Sequence, residues 1–75
     1  MRGYFHPSSR GRIEIVRYST GWNVIFKGEE LGTYSSPDHA ADDVGGGHTY
    51  SPSDGTDFEL LSISRDLADA TWQIG

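Results

Sequence analysis

Apolar and polar residues alternate along two stretches in the first half of the chain, and a third, short stretch also fits a strand. These stretches are residues 12–18, 22–27 and 31–35. Such alternation is typical of β-strands that bury one face. Turn-forming residues separate the stretches at 19–21 and 27–30, so the pattern predicts a three-stranded antiparallel meander. Gly32 lies inside the third stretch and predicts a bulge or a close approach by a neighbouring group.

A short α-helix is predicted from Ser36 to Val44. Ser36 can cap the first free N–H groups of the helix, and Pro37 suits the first helical position. The small apolar residues of this segment share one helix face, which would allow the helix to lie close to the sheet. They are Ala40, Ala41 and Val44. The three glycines at 45–47 then end the helix.

The C-terminal third gives a weaker pattern. Residues 58–63 are apolar and fit either a fourth strand or a helical turn. Ser64 can cap a last short helix over Arg65–Trp72, whose tryptophan would complete the core. The predicted fold class is α+β: a three-stranded antiparallel β-meander packed against one short α-helix, plus a short C-terminal helix.

Composition restricts the possible function classes. The 75 residues include two tryptophans, four tyrosines and three phenylalanines but no cysteine, so a small core must form without disulfides.

Glycine, proline and serine in residues 1–11 predict a flexible lead-in, and residues 12–75 are predicted to form a single small domain. No run approaches the ~20 apolar residues of a membrane-spanning helix. We therefore expect a cytoplasmic protein with no membrane partner.

The charged residues are divided unevenly along the chain. Residues 1–27 carry five basic side chains and one acid, a net charge of +4. Residues 28–75 carry one basic side chain and ten acids, a net charge of −9, and the two parts sum to −5. This division predicts a basic sheet side and an acidic helical side.

No cluster of residue types predicts catalysis or a metal site. His39 and His48 lack the compact spacing of recurring metal ligands. The acids of residues 54–59 lack the spacing and flanking helices of a calcium loop. The glycines at 45–47 follow a helix, whereas a phosphate-binding loop precedes one. We therefore expect no enzyme activity, no metal and no cofactor.

One segment resembles known families. The motifs that carry the resemblance are Trp22-x-Val24, Gly28, Leu31-Gly32-x-Tyr34 and Ala40-Ala41. With them, Trp22–Gly47 resembles the three-strand-plus-helix DNA-binding domains of the plant APETALA type and of phage-integrase N-termini. It is also similar to short uncharacterised bacterial proteins that share the L-G-x-Y-x-S-P-x-x-A-A run. The DNA-binding resemblance implies that an exposed sheet face enters the major groove. The residues equivalent to the contacts of those families are Arg10, Arg12, Arg17, Trp22, Asn23 and Lys27.

Two function hypotheses follow. The first is a small non-enzymatic interaction module that binds an unknown protein, and the alternative is a nucleic-acid-binding module that uses the basic N-terminal strands. The protein-binding module would use either the sheet face or the acidic helical side. The second sheet face is available to a partner unless the C-terminal segment folds over it. The predicted partner-binding residues are Arg12, Arg17, Tyr18, Asn23, Ile25, Lys27 and Tyr34. Basic residues converging on one open face would favour nucleic acid, whereas interleaved acids would favour a protein partner.

Overall fold

A five-stranded sheet and one α-helix make up most of the molecule. The computed structural model describes residues 3–19, 21–48, 52–53 and 55–74. Its elements are β1 (Gly3–His6), β2 (Ile13–Tyr18), β3 (Gly21–Phe26), β4 (Glu29–Tyr34), α1 (Pro37–Gly45), a 3-10 helix (Phe58–Leu61) and β5 (Gln73–Ile74). All strand pairs in the described residues are antiparallel, in the order β4-β3-β2-β1-β5. The α+β class is confirmed, with a larger sheet than predicted.

The three predicted strands correspond to β2, β3 and β4. The loop between β3 and β4 has only two residues, Lys27 and Gly28, with φ of 53° and 81°. Two successive positive φ values produce the tight turn whose twist matches that of an antiparallel hairpin. Phe26 therefore pairs with Glu29, and β4 begins two residues earlier than the alternation predicted.

A β-bulge interrupts the pairing of β3 with β4. Val24 lies opposite Gly32 and Ile25 lies opposite Glu30, so Leu31 is the extra residue. The side chain of Leu31 stays in the core and is 2% exposed. The bulge predicted from Gly32 is thus confirmed.

The segment Gly3–His6 forms β1, where the sequence predicted a flexible lead-in. It pairs with β2, and His6 lies opposite Ile13. The proline and serines that predicted flexibility lie in the turn between the two strands. In that turn the Gly11 N–H donates to the Ser8 carbonyl at 3.2 Å, and the Ser8 hydroxyl donates to the Gly11 carbonyl.

The predicted C-terminal helix over Arg65–Trp72 is wrong. Residues 58–61 form the 3-10 helix, the second of the two alternatives for that segment, and the chain then turns repeatedly before β5. Two aspartates favour turns over a helix, because each accepts a hydrogen bond from the backbone N–H two residues further on. These bonds join Asp66 to Ala68 at 3.0 Å and Asp69 to Thr71 at 2.9 Å.

The core lies between α1 and one face of the sheet. Ser36 caps α1 by accepting a hydrogen bond from the His39 N–H at 3.2 Å, as predicted. The predicted apolar helix face of Ala40, Ala41 and Val44 is fully buried. The remaining core residues are Ile13, Ile15, Val24, Phe26, Leu31, Phe58, Ile63 and Trp72.

His6 joins β1 to the C-terminal segment. Its Nε2 accepts a hydrogen bond from the Ser64 N–H at 3.3 Å, so its Nδ1 carries the proton and donates to the Pro7 carbonyl at 2.8 Å. The ring meets Trp72 edge to face with centroids 5.0 Å apart, and the Trp72 indole N–H donates to the Ser64 carbonyl at 2.9 Å. These contacts hold residues 63–74 against the sheet.

We expect His6→Phe to lower the free energy of unfolding by about 2 kcal/mol, because it leaves two backbone groups without their partners. His6 is 4% exposed. His48→Ala is the control, since His48 is exposed, and its effect should stay within about 0.5 kcal/mol. Urea unfolding measures both, and equal effects would show that His6 does not anchor the segment.

We expect Gly21→Ala to destabilise the fold more than Gly28→Ala. Both glycines have positive φ, 146° and 81°, so both alanines are strained. A Cβ at Gly21 would also lie 2.6 Å from the Tyr34 carbonyl oxygen, whereas a Cβ at Gly28 meets nothing within 4 Å. The expected losses are about 3 and about 1 kcal/mol in thermal or urea unfolding. A larger loss at Gly28 would contradict the packing of β3 against the end of β4.

Candidate interaction face

One face of the sheet has no described helix or strand packed on it. Residues that lie opposite each other in neighbouring strands share a face, so the register identifies its members. We call this surface the open face; it consists of Gly3, Phe5, Arg12, Glu14, Val16, Tyr18, Asn23, Ile25, Glu30, Thr33 and Gln73. Both α1 and the 3-10 helix contribute their buried side chains to the core on the other face.

Apolar side chains occupy the middle of the open face. Val16 is 8% exposed, yet it lies outside the core cluster because it projects from the opposite side of β2. Ile25 and Phe5 are half-buried, and Tyr18 is 43% exposed. Phe5, Tyr18 and Ile25 are therefore the apolar side chains that the open face presents to solvent.

Acidic side chains flank Ile25 on both neighbouring strands. Ile25 lies opposite Glu14 of β2 and opposite Glu30 of β4. The Glu14 carboxylate forms an ion pair with the Arg12 guanidinium at 3.1 Å. The Arg12 guanidinium also lies over the Phe5 ring, 4.8 Å from its centroid. The open face therefore alternates apolar, acidic and basic groups.

Asn23 lies at the centre of the open face and is 7% exposed. Its side-chain oxygen accepts a hydrogen bond from the Thr33 hydroxyl at 2.7 Å. Its amide nitrogen has no hydrogen-bond partner among the described residues. Every fully buried side-chain nitrogen or oxygen atom in the described residues has a hydrogen-bond partner. The amide nitrogen must therefore reach solvent on the open face.

The structure brings together only part of the predicted partner-binding set. The residues on the open face are Arg12, Tyr18, Asn23 and Ile25. Arg17 is on the opposite face, because it is five positions from Arg12 and side chains alternate along a strand. Its guanidinium lies over Trp22, 5.9 Å from the ring centroid. Lys27 lies in the β3–β4 turn, and Tyr34 packs against the core.

The partner-binding prediction omitted several members of the open face. Phe5 was assigned to the lead-in, although adjacent aromatic residues such as Tyr4 and Phe5 favour β-strands. Val16 resembles a core residue in sequence, because it follows Ile15 directly. Only the pairing register shows that its side chain projects away from the core.

A second cluster joins β4 to α1 through Tyr34, His39 and Asp43. The Tyr34 and His39 rings meet at 5.2 Å between centroids, and His39 Nε2 lies 3.8 Å from Asp43 Oδ1. Burial, followed by the charge of Asp43 and a hydrogen bond to it, raises the pKa of Tyr34 to about 12. A phenol with so high a pKa stays protonated at neutral pH, so Tyr34 does not act as a base there.

One depression in the described surface is shallow and polar. It has a volume of about 330 Å³ and lies beside the β3–β4 turn. Glu29 and Ser53 both line it. The Glu29 carboxylate accepts hydrogen bonds from the Ser53 N–H at 2.9 Å and from the Ser53 hydroxyl at 3.1 Å. The described residues hold no group of three or more potential metal ligands. Part of the acidic 54–59 segment, Asp54, lies outside the described residues.

Comparison with known proteins gives no relative for this chain. It matches no family model, no curated protein and no solved structure. The resemblance to the DNA-binding domains therefore stays a prediction. None of the described helices is long and apolar enough to cross a membrane.

We expect Tyr34 to ionise near pH 12 and Asp43→Asn to move its midpoint towards the ordinary value of 10.0. The folded pKa is raised, so the stabilisation by neutral Tyr34 is complete below pH 10 and is lost as pH rises through 12. The tyrosine Cζ chemical shift, assigned with Tyr34→Phe, reports the titration. An unchanged midpoint in Asp43→Asn would contradict the contact between β4 and α1.

Proposed function

We propose that this protein is a small non-enzymatic protein-binding module whose docking surface is the open face. The observation that carries the proposal is the alternation of acidic and apolar side chains across neighbouring strands, with Ile25 between Glu14 and Glu30. Protein interfaces combine apolar centres with polar and charged surroundings in this way.

The charges on the open face favour protein over nucleic acid as the partner. Arg12 is its only basic side chain in the described residues, and it is already paired with Glu14. Glu14 and Glu30 would repel phosphate groups along a nucleic-acid backbone. The other basic residues of the meander do not join Arg12, because Arg17 lies on the opposite face and Lys27 in a turn.

The sheet edges are less suited to binding a partner than the open face. The outer strand β4 carries two acids and a bulge, features that discourage pairing with another strand. At the other edge β5 has only two residues. A partner strand would gain few backbone hydrogen bonds at either edge, so the face is the better docking surface.

The test compares two variants that each replace an exposed or half-exposed apolar residue by aspartate. Ile25→Asp alters the open face, and Leu60→Asp is the control on the 3-10 helix, where Leu60 is 79% exposed. We expect cross-linking and quantitative mass spectrometry in the native cell to find proteins that are lost with Ile25→Asp and retained with Leu60→Asp. Equal recovery of every cross-linked protein by both variants would contradict the proposal.

The nucleic-acid alternative is tested directly by titrating the labelled protein with a short DNA duplex at low and moderate salt. Phosphate contacts are strongest at low salt, so binding through the basic strands would give salt-sensitive chemical-shift changes in residues 12–27. We expect no such changes. Their appearance, and their loss with Arg12→Gln, would favour the alternative.

A further inference from the structure

Two glutamates on the open face, which we call the acidic pair, restrict the chemistry of a partner that can bind there. Glu14 and Glu30 lie on the strands either side of Ile25, and two strand spacings separate them by roughly 10 Å. Glu30 is exposed and forms no ion pair with any described residue. Two carboxylates around an apolar side chain suit a partner that carries cations around an apolar side chain.

Asn23 supplies a second and independent indication of a bound partner. It is more than nine-tenths buried, lies on the strand of Ile25, and keeps an amide nitrogen without a partner among the described residues. Because that nitrogen reaches solvent on the open face, it is available to donate a hydrogen bond to a docked chain. A hydrogen-bond acceptor of such a chain, for example a backbone carbonyl, would replace the solvent there.

The charge of the open face disfavours a second copy of this chain as the occupant. Its charged side chains in the described residues are Arg12, Glu14 and Glu30, a net charge of −1, and the whole chain carries −5. Two copies packed face to face would bring together two surfaces that each carry a net negative charge. Opposite charge is therefore the property that a partner must have.

We propose that the open face binds a cationic segment of a partner protein, with lysine or arginine on both sides of an apolar residue that packs on Ile25. The cations meet Glu14 and Glu30, and a backbone carbonyl accepts from the Asn23 amide. This inference rests on the proposed function, because it specifies the partner of the same surface.

The experiment selects a displayed library of random 16-residue peptides against the intact protein at moderate salt. Ile25→Asp adds a negative charge to the open face, so non-specific attraction of basic peptides would increase with this variant while specific docking would be lost. Glu30→Lys reverses one charge of the acidic pair. Asp38→Lys makes the same change on α1, where Asp38 is an exposed acid at the helix start.

We expect the enriched peptides to contain lysine or arginine around an apolar residue. Their affinity should fall at least about tenfold with both Ile25→Asp and Glu30→Lys and change less than about threefold with Asp38→Lys. The amide resonance of the Asn23 side chain should shift on binding. Thermal unfolding of each variant confirms that it is folded before its affinity is compared.

The other outcomes separate the two proposals. Peptides that require Ile25 but are neutral or acidic, and that bind Glu30→Lys equally well, would overturn the cationic partner and leave the docking face intact. Basic peptides that bind Ile25→Asp as well as the unaltered protein would show non-specific attraction and overturn the inference. A library without any enriched sequence would count against both the partner chemistry and the docking face.

Discussion

The close packing of α1 on the sheet is the constraint on which the rest of the structure depends. Ala40 and Ala41 have no side chain beyond Cβ, so the helix backbone lies directly against β3 and β4. One α-helix and the C-terminal segment supply enough apolar side chains to cover one face of five strands. The described chain has no further helix to cover the second face. Within the described residues the open face therefore stays without a helix on it, and its composition must tolerate water.

The elements predicted correctly are those determined by neighbouring residues. The Lys27-Gly28 turn and the Ser36-Pro37 helix start carry their own conformational signals, and both lie where the sequence placed them. β1 and the C-terminal segment depend instead on contacts between distant residues. His6 and Ser64 are 58 positions apart, and no local pattern indicates that they meet. Propensity therefore predicted a flexible lead-in where long-range pairing produces a strand, and a helix where the chain forms a series of turns.

The candidate site was predicted less well than the fold, because a face is defined by register. Charge alone grouped Arg12 with Arg17, although five positions of separation place them on opposite sides of β2. Simple alternation along residues 31–35 placed Tyr34 on the second face of the sheet. The bulge at Leu31 reverses the faces of the residues that follow it, so Tyr34 packs against His39 of α1 instead. Sequence alternation predicts which residues share a face within one strand, whereas the alignment between strands requires the structure.

The acids around Ile25 serve two physical requirements at once. An uncovered sheet with adjacent apolar side chains tends to associate with copies of itself, and like charges beside those side chains oppose that association. The same carboxylates stabilise a complex with a cationic partner, because they attract a positively charged surface and repel a negatively charged one. Arg12 weakens this effect on one side, since its guanidinium is paired with Glu14 and lies over the Phe5 ring. Glu30, which has no such neighbour, is therefore the residue through which partner charge is most strongly selected.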